Sequence, residues 1–255
     1  MPRPNFIVLA AVVAGLLGGC AAAPGATDSA DMSERVDPAL RAAALNAEAS
    51  QDYKGAAQHW RTLLAHHPDD RGIAVSLARA LRFSGDGQQG ADLMQATVAR
   101  LGRDSDLMAE MGKDYLAADR LGLARRSLAE AGRLDPLRWD VPDALAICDD
   151  LDGKAADAAV HYTAALKLSP DNPEVLNNLA LSQALAGDLG TAIATLRRAD
   201  DQPTAGPEIR QNLAFLLALR GDSAGAERIA THDLSTGARR ANAEIYRAIA
   251  GAVRP

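Results

Sequence analysis

Residues 144–170 read ALAICDDLDGKAADAAVHYTAALKLSP. A helical pattern reaches Leu151, breaks at Gly153, resumes at Ala155 and stops before Pro170. Glycine supplies the positive φ that ends a helix, and proline cannot continue one, so the stretch predicts two helices joined by a tight turn. The unit recurs. Pro136 and Pro170 are 34 residues apart, and Pro68 precedes Pro136 by 68, twice that spacing. In frames of 34 beginning at residue 37, the eighth position reads Ala44, Ala78, Gly112, Ala146, Ala180 and Ala214. The twentieth reads Ala56, Gly90, Ala124, Ala158, Ala192 and Ala226, so all twelve are Ala or Gly without an insertion.

Close packing explains the two columns. The eighth position of each first helix faces the twentieth of the second, and only a small side chain lets the axes approach. Larger apolar residues surround the contact: Leu77, Met111, Leu145, Leu179 and Leu213 at position seven, and Trp60, Met94, Leu128, Tyr162 and Leu196 at position twenty-four. Position fifteen, in the turn, is Gly85, Gly153, Gly187 or Gly221 in four frames. Pro142, Pro173 and Pro207 sit where first helices open and a missing N–H is harmless. Frame two, with Gly90 and Gly102 in place of the small residue and the proline, is expected to be the loosest.

This pattern resembles the tetratricopeptide repeat over residues 37–240. The resemblance implies an all-α, right-handed solenoid of about six repeats. Residues 241–255 are expected to form a C-terminal capping helix and tail, covering the apolar face that the last repeat exposes.

Composition agrees with such an array and excludes other classes. Apolar residues make up 48% of the 255, but aromatics only 4%, so the core must be built from aliphatic side chains. The 27 basic against 33 acidic residues give a net charge of −6, a poor basis for holding nucleic acid through its phosphates. Two cysteines, Cys20 and Cys148, exclude a disulfide framework and a multi-cysteine zinc site.

The N-terminus reads as an address. Arg3 precedes an apolar run from Phe6 to Leu17, too short for a stable membrane span and suited to a signal peptide. The ending Leu17-Gly18-Gly19-Cys20 resembles the bacterial lipobox, which implies cleavage after residue 19 and lipidation of Cys20. Ala21 and Ala22 stand where inner-membrane lipoproteins commonly carry Asp, so the resemblance implies a lipid anchor on the periplasmic face of the outer membrane. Residues 20–36, rich in Ala, Gly, Ser and Asp, read as a flexible tether.

Motifs that suggest chemistry dissolve into the repeat. Gly85-Asp86-Gly87-Gln88-Gln89-Gly90 matches G-x-G-x-x-G, but the phosphate-binding version follows a strand. Gly221-Asp222-Ser223-Ala224-Gly225 matches G-x-S-x-G, but a helical turn is expected there, with Ser223 as N-cap and His232 on the same helix. His66-His67 reads as a solvated helix end and Cys148 as a buried thiol. No catalytic residue, metal, cofactor or small-molecule substrate is expected.

A partner is expected in the concave face. First helices line it, with positions two, five, six, nine, twelve and thirteen turned inward. Asn177, Asn178, Gln211 and Asn212 then meet Leu181, Leu185, Phe215 and Leu219, a set able to hold an extended protein segment through amide hydrogen bonds and apolar contact. Position two is acidic in the last four frames (Asp106, Asp140, Glu174, Glu208), so the lysine of chaperone-type carboxylate clamps is missing. Arg79, Arg82 and Phe83 form a basic-aromatic patch that a solvated helix face explains equally well.

The last third carries a narrower resemblance. Asn177-Asn178-Leu179-Ala180, Arg210-Gln211-Asn212-Leu213-Ala214, Ala226-Glu227, Asp233-Leu234 and Asn242 are similar to the TadD lipoproteins of the tight-adherence (Flp) pilus assembly system. That implies a scaffold of pilus assembly with the secretin as partner. An adaptor that docks cell-wall hydrolases or other envelope machinery remains the alternative.

Overall fold

Helix pairs follow one another at the spacing of the columns. The computed structural model describes residues 27–230 and 236–252, and thirteen α-helices and no strand lie among them. In chain order they are α1 (Thr27–Ala49), α2 (Tyr53–His66), α3 (Arg71–Phe83), α4 (Gly87–Leu101), α5 (Ser105–Ala117), α6 (Leu121–Leu134) and α7 (Asp140–Leu151). Then come α8 (Ala155–Leu168), α9 (Pro173–Leu185), α10 (Leu189–Asp200), α11 (Pro207–Leu219), α12 (Ser223–Ala230) and α13 (Thr236–Ala252). Residues 1–39 and 40–255 form two compact units. The described part of the first is the beginning of α1; the second holds the repeats.

The small-residue columns do what their spacing predicts. Ala44, Ala56, Ala78, Ala124, Ala146, Ala158, Ala180, Ala192, Ala214 and Ala226 are wholly buried. A Cβ at Gly112 would stand 2.6 Å from Cγ of Leu128, so the α5–α6 contact has no room even for alanine. Trp60, Met94, Leu128, Tyr162 and Leu196 fill the space around these contacts. Two of them also carry a polar handle: Trp60 donates to Glu48 at 2.7 Å and Tyr162 to Asp150 at 2.9 Å, each twelve residues back.

Frame two is not slack at its glycine. A Cβ at Gly90 would lie 2.9 Å from Cγ of Asp114, so a buried carboxyl from the next repeat occupies the place of the missing side chain.

The turn between paired helices keeps a left-handed residue in every frame. Gly85, Gly153, Gly187 and Gly221 have φ between +71° and +92°. Where glycine is absent, Gln51 (φ +61°) and Asp119 (φ +57°) adopt the same region against their preference. In three frames the next side chain caps the second helix: Asp52 accepts from the N–H of Gly55 at 3.0 Å, Asp188 from Thr191 at 3.0 Å and Asp222 from Gly225 at 2.8 Å, whereas Asp86, Arg120 and Lys154 make no such bond. The cap of α12 is therefore Asp222 and not Ser223, which is already helical; a carboxylate on the turn outcompetes the hydroxyl one residue inside.

The ends depart from the expected frame. Helix α1 starts at Thr27, inside the segment read as tether, and runs through Pro38. The run of Ala, Met, Glu and Arg there favours helix, and Pro38 removes one backbone donor without ending it. The capping helix α13 starts at Thr236 and not at 241, because Ala238, Arg239, Arg240 and Ala241 are strong helix formers with no stop signal among them. Its Tyr246 and Ala250 are buried, and Tyr246 packs with residues of α11 and α12, as a cap requires. The lipobox with Cys20, and also His232, lie outside the described residues. No described helix is long and apolar enough to cross a membrane.

Candidate functional site

The inward positions of successive first helices enclose a cavity of about 860 Å³. Arg79, Arg82 and Phe83 of α3, Asp106, Lys113 and Leu116 of α5, Asp140, Asp143 and Ile147 of α7, and Glu174 and Asn178 of α9 line it. A cavity reached by four first helices is a groove on their shared face. A second cavity, about 630 Å³, has Tyr53 and Phe83 on one side and Asn177, Glu208 and Ile209 on the other. The early repeats thus face the fifth and sixth across the groove, with Phe83 and Glu174 common to both cavities.

Charge in the groove is mostly paired. Arg82 bonds Glu110 and, at 2.6 Å, Asp114. It is therefore committed to the fold, so of the two readings left open for the Arg79, Arg82 and Phe83 patch, neither a free basic group nor a solvated face describes Arg82. Burial, joined by Glu110, pushes Asp114 up to about 7 in spite of Arg82, and its Oδ2 has no partner. Asp140 takes Lys113 at 2.7 Å and Arg138 at 2.8 Å, and Arg138 also bonds Asp106. Burial opposes the charge on Asp140, but these two cations win and hold its carboxyl down at about 2.

Asp143 differs. It is only 4% exposed; Oδ2 accepts from Nδ2 of Asn178 at 3.0 Å, and Oδ1 has no partner. Burial first, then the nearby charge of Glu174, pushes its carboxyl up to about 7.

The predicted asparagines come together as a ladder. Asn212 donates to Asn177 at 2.8 Å, Asn177 to Asn178 at 3.4 Å, and Asn178 to Asp143. Much of their hydrogen-bonding capacity is thus used between repeats. Asn178 lines the larger cavity and Asn177 the smaller, whereas Leu181, Gln211, Asn212 and Phe215 line neither. Phe215 and Gln211 are exposed on α11, and Leu181 is half-buried on α9.

Much of the apolar exposure among the first helices falls in one column. Position thirteen, the last residue of each first helix, is Phe83, Ala117, Leu151, Leu185 and Leu219 in frames two to six. Of these Leu185 is 81% exposed, Leu151 60% and Phe83 55%. Phe83 stacks on Tyr53 with ring centres 5.0 Å apart. The repeat frame already marked position thirteen as inward, and position five as well, where Asp143 lies just one step beyond Pro142. Leu185, Leu219 and Phe83 are named from sequence; reading down both columns would also have found Leu151 and Asp143.

Known proteins share this architecture. A family model described as Tetratricopeptide repeat matches residues 152–207. No curated protein matches the chain. TTC0263, a thermophilic TPR protein of Thermus thermophilus, superimposes with a TM-score of 0.64 at 22% identity, covering 71% of this chain and 98% of that one. A tetratricopeptide repeat protein from Parabacteroides merdae gives 0.65 at 10% identity, over 86% and 90% of the two chains. Pseudomonas aeruginosa pilF gives 0.52 at 16% identity, over 83% and 98%. The likeness is one of fold: an all-helical tetratricopeptide-type solenoid closed by a terminal helix.

Proposed function

We propose that this chain is a lipid-anchored outer-membrane scaffold of Flp-type pilus assembly, resembling TadD, which holds a segment of the secretin in its groove. A tetratricopeptide solenoid is an interaction scaffold, and its working surface is the inner face of its first helices. The observation that carries the reading is the groove itself: two cavities, an exposed apolar row at position thirteen, and a ladder of amides on α9 and α11 that ends on Asp143 of α7. An extended protein segment suits this surface better than a small molecule. The cavities are open, and their polar groups are spread along the array instead of converging on one point. The lipobox and the asparagine columns of the last third support the pilus assignment, and pilF shares the fold.

Site-specific photocrosslinking tests the reading. A photoreactive phenylalanine analogue replaces Leu185, Phe215 or, as a control on a second helix, exposed Val160. In cells making the pilus, the secretin is expected as the adduct from Leu185 or Phe215 and not from Val160. Adducts from Val160 alone would place the working surface on the convex side. Adducts to a cell-wall hydrolase would replace the pilus by the adaptor reading.

A further inference from the structure

Asp143 is a buried carboxyl with no cation bonded to it; the charge of Lys113 reaches it but is outweighed by burial and Glu174. The groups that face it are accounted for on every side. Lys113 of α5 and Arg138 before α7 both bond Asp140. Tyr162 of α8 donates to Asp150. Glu174 of α9 is itself acidic and exposed. Asn178 serves Oδ2 and leaves Oδ1 bare. A buried acceptor without a partner costs stability, and a fold that needed only packing would place an amide or an apolar residue there. Instead the carboxyl lines the larger cavity, next to the apolar walls of Leu116, Trp139 and Ile147.

We propose that Asp143 receives the ammonium group of a lysine in the partner segment. This rests on the groove reading above and names the chemistry that one of its cavities selects. Lysine fits better than arginine because a single oxygen is open: a guanidinium pairs best with both oxygens of a carboxylate, whereas an ammonium is a point charge with rotatable donors. The aliphatic stem would lie along Leu116, Trp139 and Ile147 while the head reaches Oδ1. Oδ1 is shut off from bulk water, so a side chain at the cavity wall rotates to admit the ligand. Among the described residues no group of three His, Cys, Asp or Glu is placed to hold a metal ion. The raised pKa of Asp143 then acts as a gate: binding lysine pulls the carboxyl into its charged form, and acid releases the ligand.

The test uses the full chain in detergent micelles with short fluorescent peptides of Leu, Ala and Ser that carry one central Lys, norleucine or Glu. At pH 8 the Lys peptide should bind between about tenfold and a hundredfold more tightly than the norleucine peptide, the range of one charge-assisted hydrogen bond. The preference should shrink at pH 6 and vanish in Asp143→Asn. That variant should unfold at the same or a higher temperature than the parent at pH 8, because it removes a buried charge that no bonded cation offsets. Equal binding of the Lys and norleucine peptides, or a preference that survives Asp143→Asn, overturns the lysine pocket while leaving the groove. Failure of every peptide to bind overturns both. A lower midpoint for Asp143→Asn with an unchanged Lys preference would make Asp143 a packing residue with a trapped water.

Discussion

Nδ2 of Asn212 on α11 lies 2.8 Å from Oδ1 of Asn177 on α9, thirty-five residues earlier. Asn178 and Asp143 are related by the same interval. One residue more than the repeat means that position six of one frame bonds position five of the frame before. The ladder therefore crosses the first helices obliquely and ties three repeats together.

Asn177 stands in the middle of that ladder, accepting from one neighbour and donating to the other. Asn177→Ala should lower stability more than Asn212→Ala, each lost bond contributing about 0.5–1.5 kcal/mol. Denaturant midpoints of the two variants decide it. Equal values would mean that the longer Asn177–Asn178 bond adds nothing to stability.

Gly112→Ala should destabilise by about 1–3 kcal/mol, since its Cβ runs into Leu128 in a filled interior. Ala158→Leu, at the equivalent contact in frame four, should cost as much or more. Gly122→Ala meets nothing within 4 Å and should be neutral or gain up to about 1 kcal/mol. Chemical unfolding of the three variants measures the contrast, and a stable Gly112→Ala would refute the tight contact.

At the turns, Gln51→Gly and Asp119→Gly should stabilise the protein, by up to about 1 kcal/mol each, because φ is positive at both. The gain should be larger at Gln51, since Asp tolerates the left-handed region better than Gln. Thermal midpoints check the order.

Acid should stabilise the repeat array before it harms it. Asp114 and Asp143 hold their protons up to about 7 when folded, whereas an unfolded Asp loses its proton near 4. Between those values the folded chain binds more protons than the unfolded one, so stability from these groups falls as pH rises through the window. Asp140, held at about 2, works the other way and loses its contribution only as pH falls from about 4 towards 2. Midpoints at pH 5 and pH 8 should fall in that order, and Asp143→Asn should reduce the difference. An unchanged difference in the variant would remove Asp143 from the account.

Cys20→Ala should leave a precursor that incorporates no labelled palmitate and is lost from the outer membrane. Membrane fractionation with palmitate labelling of the native chain provides the check. Native protein without label would remove the lipid anchor from the proposal.

The repeat was legible because its defining contacts lie within one frame. A small residue at position eight needs a small residue at position twenty, and both are twelve residues apart in the same chain segment. What crosses between frames was harder to read. Gly90 looked like a loss of packing until Asp114, from the next repeat, filled its place. Arg82 looked solvated because its acids, Glu110 and Asp114, stand about one repeat away. Sequence expected the asparagines on one face, but could not show that Asn177, Asn178 and Asn212 would bond each other. Asp143 escaped notice because a carboxyl on a helix is ordinary until burial leaves one of its oxygens without a donor.

The strict order of contacts also sets how the array would respond to load. The principal helix contacts join each element to its neighbours in the chain, α2 to α3, α4 to α5 and so on, with α3 to α5 and α5 to α7 closing the frames. Pulled between its ends, such an array yields one frame at a time, and each frame releases about 110 Å of extended backbone. Under the proposed lipid anchor and groove contact, tension between the two would lengthen the chain in steps, letting out slack while the frames beyond the grip stay folded.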